Sequence, residues 1–236
     1  DEPNPAKVQL AAYEFVLYLL GNFKSVADLV DHLAEIELMS DVLNDIKFGK
    51  PEMHFALADP TGRVVVVEPT RQPMRVIENP LGVVTNSPDY DRQLRQMERY
   101  VDFTPAFRAG KVPLNTPRVT TGRLSGKANP PGYYSPSARF IRAAYLRERA
   151  DVPTDKLAGV TSEFHLLDSV TVPQNRRHQP TYSVYRSVTV AESREYYFQS
   201  YHRGDTTKLQ LTDEMLAWTR PKVYHLPDRL TVREIK

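Results

Sequence analysis

Two short segments carry residue types that could do chemistry. The first is Val84-Thr85-Asn86-Ser87-Pro88, with Tyr90 just beyond. An asparagine at the end of a strand can aim its amide NH2 into a cleft, and such a donor stabilises an oxygen that becomes negative during acyl transfer. The same Asn-Ser-Pro run is also an ordinary turn sequence. The second is Tyr134-Ser135-Pro136-Ser137-Ala138-Arg139-Phe140. Arg139 falls one turn into a helix, among small and apolar neighbours. A guanidinium held near a core needs a carboxylate or carbonyl partner, whereas one on the surface only covers apolar area with its stem.

Other chemistries lack their residues. There is no cysteine, which removes disulfides, thiolate metal sites and cysteine nucleophiles from these 236 residues. The six histidines (His32, His54, His165, His178, His202, His225) show no ligand spacing; His54 and His165 read as hydrogen-bonded structural residues. Neither a phosphate loop, an HExxH zinc motif nor a Gly-x-Ser-x-Gly elbow is present. No metal site and no cofactor are expected. A net charge of +2, from 31 basic and 29 acidic residues spread among one another, predicts neither nucleic acid nor an anionic membrane as partner. The apolar run at residues 15–20 is too short to span a bilayer, and no signal peptide is visible. The compartment, cytoplasmic or periplasmic, stays open.

The elements that must position these residues follow from periodicity. The spacing predicts a helix over residues 7–23, with Leu10, Tyr13, Val16, Leu17 and Leu20 as its buried stripe. A second begins after Ser25 as cap, with Val26, Leu29, Val30, Leu33 and Ile36 apolar. Strands are predicted at 54–58 and 63–68 around an Asp59-Pro60-Thr61-Gly62 turn. The four valines 64–67 suggest a strand covered on both faces. Further strands are predicted at 74–78 and 82–85. A helix then runs from about Asp89 to Val101 with Leu94 and Met97 inward. Residues 102–134 hold five prolines and little periodicity, a length that is uncommon in a compact domain unless it has a task. Helices follow from Ser135-Pro136 and over 154–168. Strands are predicted at 181–190, 194–202 and 206–211, the last two a hairpin around Arg203-Gly204-Asp205. Helices, strands, helices, strands, without steady βαβ alternation, predict an α+β fold with antiparallel sheets in one domain over 1–236.

Taken in order, three stretches resemble the choloylglycine hydrolase family, on the penicillin V acylase side. They are His54…Asp59-x-x-Gly62…Val67-Glu68, then Glu78-Asn79-Pro80-x-Gly82-Val83-Val84-Thr85-Asn86-Ser87-Pro88-x-Tyr90, then Pro131-Gly132-x-Tyr134-Ser135-Pro136-Ser137-Ala138-Arg139-Phe140. The likeness continues through Phe164-His165-Leu166-Leu167 and Tyr196-Tyr197-Phe198, to about residue 211. It implies a four-layer αββα N-terminal-nucleophile hydrolase fold, incomplete at its start, and hydrolysis of a linear amide by an N-terminal cysteine whose amine is the base. By this resemblance Asn86 matches the oxyanion-hole asparagine and Arg139 the arginine that supports the cysteine region. The implied substrates are penicillin V, a conjugated bile salt or an N-acyl homoserine lactone. A homo-oligomer is also implied, tetrameric in relatives, with 102–134 as a projecting assembly arm. The cysteine is not in this sequence, and Asp1 cannot replace it. The chain alone is therefore expected to be inactive, working with an N-terminal segment. The alternative is a degenerate, non-catalytic relative that binds a ligand or packs in an oligomer. One departure stands out: Pro130-Pro131-Gly132-Tyr133 replaces the family's frequent Leu-Pro-Gly-Asp.

Overall fold

The computed structural model describes residues 4–39, 53–69, 74–101, 128–175, 177, 181–226, 229, 230, 232 and 234. The expected arm lies outside the described residues over 102–127. The chain divides into two compact units, residues 1–130 and 131–236, and each is described by itself.

In the first unit, strand β1 (Val8–Ala11) is followed by helices α1 (Phe15–Asn22) and α2 (Val26–His32), a 3₁₀ turn (Leu33–Glu35) and strand β2 (Ile36–Met39). The two strands pair in parallel, Val8 opposite Ile36 and Ala11 opposite Met39, so the helices form the crossover that a parallel pair requires. Two expectations are corrected here. The segment 7–23 is a strand and then a helix, and not every sheet is antiparallel. Glu14 marks the break: its carboxylate accepts from the Ala11 amide at 2.9 Å, and its own amide donates to the Ala11 carbonyl at 2.9 Å.

The expected buried stripe is also displaced. Phe15 and Leu19 are the buried side of α1, while Leu17 and Leu20 are 78% and 79% exposed. The helix is apolar nearly all round, so its period alone does not choose a face. Tertiary packing chooses: Phe15 meets Phe55 edge to face at 4.7 Å. The core joins Phe15, Leu19, Leu29, Leu33 and Ile36 to Phe55, Val67 and Met74. Ser25 caps α2 as expected, accepting from the Asp28 amide at 3.1 Å.

The second sheet is β3 (Phe55–Ala58), β4 (Val64–Glu68) and β5 (Arg75–Glu78), a plain antiparallel meander. Val65, Val66 and Val67 are all buried. Successive side chains of a strand point to opposite faces, so β4 is covered on both, as its composition predicts. Gly62 takes a φ of 82° in the β3–β4 turn, where a side chain would be strained. Residues 82–85 form no strand, contrary to expectation. Helix α3 (Tyr90–Met97) follows, capped by Asp89, which accepts from the Arg92 amide at 2.9 Å.

The second unit holds α4 (Pro136–Arg149), α5 (Lys156–Asp168) and the meander β6 (Tyr185–Val190), β7 (Glu195–Ser200) and β8 (Thr207–Gln210), then a short helix α6 (Asp213–Leu216). Ser135 and Asp155 cap the two longer helices, and Pro136 opens α4 as expected. One face of the meander packs on α5 through Val160, Phe164 and Tyr197, with Leu167, Val188 and Val190 around them. Beside that core lies a buried carboxylate, Glu195, paired with Lys156 of α5 at 2.6 Å and Lys208 of β8 at 2.9 Å.

Candidate active site

Asn86 is exposed, on the loop between β5 and α3. The loop has no ladder of its own, because its backbone groups bond to side chains instead. Asn79, fully buried just beyond β5, donates through Nδ2 to the Val83 carbonyl at 3.2 Å. Its own amide donates to the Val64 carbonyl at 2.8 Å, and its carbonyl accepts from the Gly82 amide at 3.0 Å. Asn79 Oδ1 accepts from the Tyr90 hydroxyl at 2.5 Å. Glu68, buried at the end of β4, accepts from the Tyr90 amide at 2.7 Å and so receives the first turn of α3. A carboxylate at a helix N-terminus is well placed against the helix dipole. Gln93, only 2% exposed, donates through Nε2 to the Asn86 carbonyl at 3.4 Å. Arg75 of β5 and Asp91 of α3 form an ion pair at 2.5 Å, and that hydrogen bond holds the Arg75 guanidinium above its ordinary pKa. The loop that carries Asn86 is thus set by buried polar side chains on both flanking elements, while the asparagine itself reaches solvent.

Sequence reasoning placed Asn86 at the end of a strand; it lies on a side-chain-tethered loop. It also chose Leu94 as an inward residue of α3, where the buried positions are Tyr90, Gln93 and Met97. Gln93, Asn79 and Glu68 were missed. The spacing 90, 93, 97 puts a glutamine on a helical apolar stripe, and that was the readable signal for Gln93.

Arg139, in the second unit, is half-buried on the first turns of α4. It has the carbonyl partner its setting calls for, since Nε donates to the Tyr134 carbonyl at 3.2 Å. Burial lowers its pKa from the ordinary guanidinium value, and the like charge of Arg142 lowers it further. Arg142 ties the segment together: Nε donates to the Ser169 carbonyl at 2.9 Å, and Nη1 to the carbonyls of Pro131 at 2.9 Å and Tyr133 at 2.6 Å. The Pro131-Gly132-Tyr133 stretch is therefore clamped to α4. Asn86 and Arg139 belong to different units, and each is placed by its own neighbours. His165 is exposed, 3.8 Å from Asp168. Among the described residues no group of three or more His, Asp and Glu is arranged to hold a metal ion, and no helix is long and apolar enough to cross a membrane.

Taken singly, an amide on a tethered loop and a half-buried guanidinium are each donors that can stabilise an oxygen gaining negative charge. Comparison with known proteins agrees in kind. The chain is 26% identical over 238 residues to the bile salt hydrolase/transferase of Clostridium perfringens, an alignment that covers 97% of this chain and 70% of that one. It is 27% identical over 220 residues to the conjugated bile acid hydrolase of Lactobacillus gasseri, covering 92% and 69%. A crystal structure of a variant of the conjugated bile acid hydrolase from Clostridium perfringens superposes with a TM-score of 0.77 at 25% identity, over 100% of this chain and 73% of that one. Penicillin V acylase from Agrobacterium tumefaciens shares the fold at a TM-score of 0.65 and 20% identity, over 90% and 59%. These likenesses agree with the expected α+β fold. The model of the linear amide C–N hydrolases, choloylglycine hydrolase family, matches residues 1–224, and the chain belongs to that family.

Proposed function

We propose that this protein hydrolyses a linear amide of the kind its relatives are named for, a conjugated bile salt or penicillin V, through an acyl-thioester, with Asn86 as an oxyanion donor and Arg139 as a support of the reacting region. N-acyl homoserine lactones are a further candidate of the same chemistry. In this reaction a thiolate adds to the amide carbonyl, the tetrahedral oxygen takes the negative charge, and the amine leaves with a proton. Water then attacks the thioester and releases the acid. A donor already aimed at the oxygen favours the transition state over the neutral carbonyl. The observation that carries the reading is the setting of Asn86: an exposed asparagine on a loop held by the buried side chains of Asn79, Glu68 and Gln93.

The thiol itself is not among these 236 residues. That fact favours one second reading, a non-catalytic relative that binds the amide or acyl group without turning it over. Steady-state kinetics on the protein with its native amino terminus separates the two. Asn86→Ala should lower kcat by about 10²–10³-fold, the usual loss for one oxyanion donor, with Tm unchanged. An enzyme that keeps full kcat without Asn86 would remove it from the site. A native protein that binds these amides with no turnover would establish the second reading.

A further inference from the structure

We infer that Gln93 is a positioning residue for Asn86, tethering the asparagine's backbone from within α3. The inference rests on the reading of Asn86 as an oxyanion donor.

Gln93 occupies the inward stripe of α3 with Tyr90 and Met97. At 2% exposure it is enclosed as fully as an apolar residue would be. Its amide uses only part of its bonding capacity there. Nε2 reaches the Asn86 carbonyl at 3.4 Å, while Oε1 is buried with no hydrogen-bond partner among the described residues. A buried acceptor left unmade disfavours folding, and an apolar side chain of the same shape carries no such cost, giving up only the long bond to the Asn86 carbonyl. Folding by itself therefore favours methionine or leucine at this position. What the glutamine adds is a bond from a rigid helix to the residue whose side chain faces solvent. Local rules are broken in this way chiefly at functional sites.

The tether has mechanical sense. Among the described residues, 82–88 have no strand partner. Asn79 holds them at Val83, and Glu68 holds the start of α3 at the Tyr90 amide. Gln93 grips between these points, at Asn86 itself. A carbonyl held there restricts the Asn86–Ser87 peptide that follows the Asn86 Cα, and with it the direction of the side-chain amide. A donor displaced by about 1 Å loses much of its effect on an oxyanion.

The test uses the protein with its native amino terminus. Gln93→Met keeps the length of the side chain and removes the amide. Gln93→Leu also removes the amide, with a more compact apolar side chain. Thermal melting, hydrogen exchange of the peptide spanning 82–88, and kcat and KM toward penicillin V are read for both. Gln93→Met should hold or raise Tm. Its 82–88 amides should exchange about tenfold faster or more, while kcat falls about tenfold and KM moves by less than about threefold, a loss felt only in the transition state. The double variant Asn86→Ala/Gln93→Met should be no slower than Asn86→Ala alone, because a residue that acts through another adds nothing once that other is gone. A lowered Tm, with unchanged 82–88 exchange relative to the rest of the molecule and unchanged kcat, would make Gln93 merely structural and overturn the inference. If Gln93→Met does not fold, Gln93→Leu decides by the same exchange and kcat criteria. If Asn86→Ala keeps full activity, the oxyanion reading falls by itself, and hydrogen exchange still decides whether Gln93 tethers the loop.

Discussion

The guanidinium of Arg139 donates to the Tyr134 carbonyl at the head of α4, with Arg142 one turn further on. Burial and that like charge both push its pKa down, so the fold bears the charge rather than gaining from it. Arg142 has the opposite role, since its donors close the 131–133 stretch and the Ser169 carbonyl onto the helix. The two arginines should therefore respond differently to replacement. Arg139→Met is expected to leave Tm unchanged or higher and to lower the amidase rate by about 10²-fold, the loss typical of a misplaced reacting group. Arg142→Met should lower Tm, because it takes the donor from three carbonyls, two of them part-buried. Melting curves beside initial rates check both, and an Arg139→Met protein that melts early at full rate would recast Arg139 as structural. Asn86 and Arg139 were singled out by the resemblance of their two motifs taken together, since Asn-Ser-Pro by itself is an ordinary turn. Gln93 left a signal in the 90, 93, 97 spacing, but Glu68 and Asn79 left none, because each is joined to Tyr90 on another element: Glu68 bonds to a residue 22 positions away. No local pattern encodes such a pairing.

Among the elements, α1 shows how far periodicity reaches. Its residues 15–20 are all apolar, so a helix was readable there but its buried face was not. The strand before it was hidden for a related reason. Val8–Ala11 pairs with Ile36–Met39 across two helices, and a parallel partner that distant leaves no local mark. Elements with caps and turns were read well: Ser25, Asp89 and Ser135 each start a helix, and Gly62 closes the β3–β4 turn. The packing of α1 gives a direct test. Phe15→Ala removes a fully buried ring that contacts Phe55 and should cost about 3–5 kcal/mol, while Leu17→Ala, at 78% exposure, should stay within about 0.5 kcal/mol. Denaturant titration of each variant measures this, and the reverse ranking would mean that α1 faces the other way.

The α5–β7–β8 corner adds a pH dependence. Hydrogen bonds from Lys156, then Lys208, then Ser193 hold the Glu195 carboxyl well below the usual carboxylate range, and the same contact raises the Lys208 pKa. A depressed carboxylate contributes stability that is present above its unfolded pKa and is lost as pH falls towards the folded value. The second unit should therefore weaken progressively below about pH 4, the unfolded glutamate range. Glu195→Gln should be less stable at neutral pH and should lose part of that acid slope. Melting between neutral and acid pH checks it, and identical slopes for the two proteins would show that the triad does not couple folding to protonation.

At the scale of the whole molecule, each of the two units closes a core of its own, one around Phe15, Phe55 and Val67 and one around Phe164 and Tyr197. The chain spans about 70% of the length of its bile salt hydrolase relative. Its 236 residues supply the proposed oxyanion donor, the supporting arginine and the polar scaffold beneath the Asn86 loop, but no thiol. These contributions are separable in principle. Electrostatic stabilisation lowers the barrier of a tetrahedral addition that some nucleophile must still make, and a hydroxyl without an adjacent base is a poor one at neutral pH. Asn86 by itself would then favour only the attack of water. We accordingly expect the 236-residue chain, produced alone and folded, to hydrolyse neither penicillin V nor a glycine-conjugated bile salt above a boiled control. The measurement is release of the free amine, with circular dichroism confirming that the chain is folded. Turnover that vanishes with Asn86→Ala would sink this expectation and would place a nucleophile other than cysteine among the residues present.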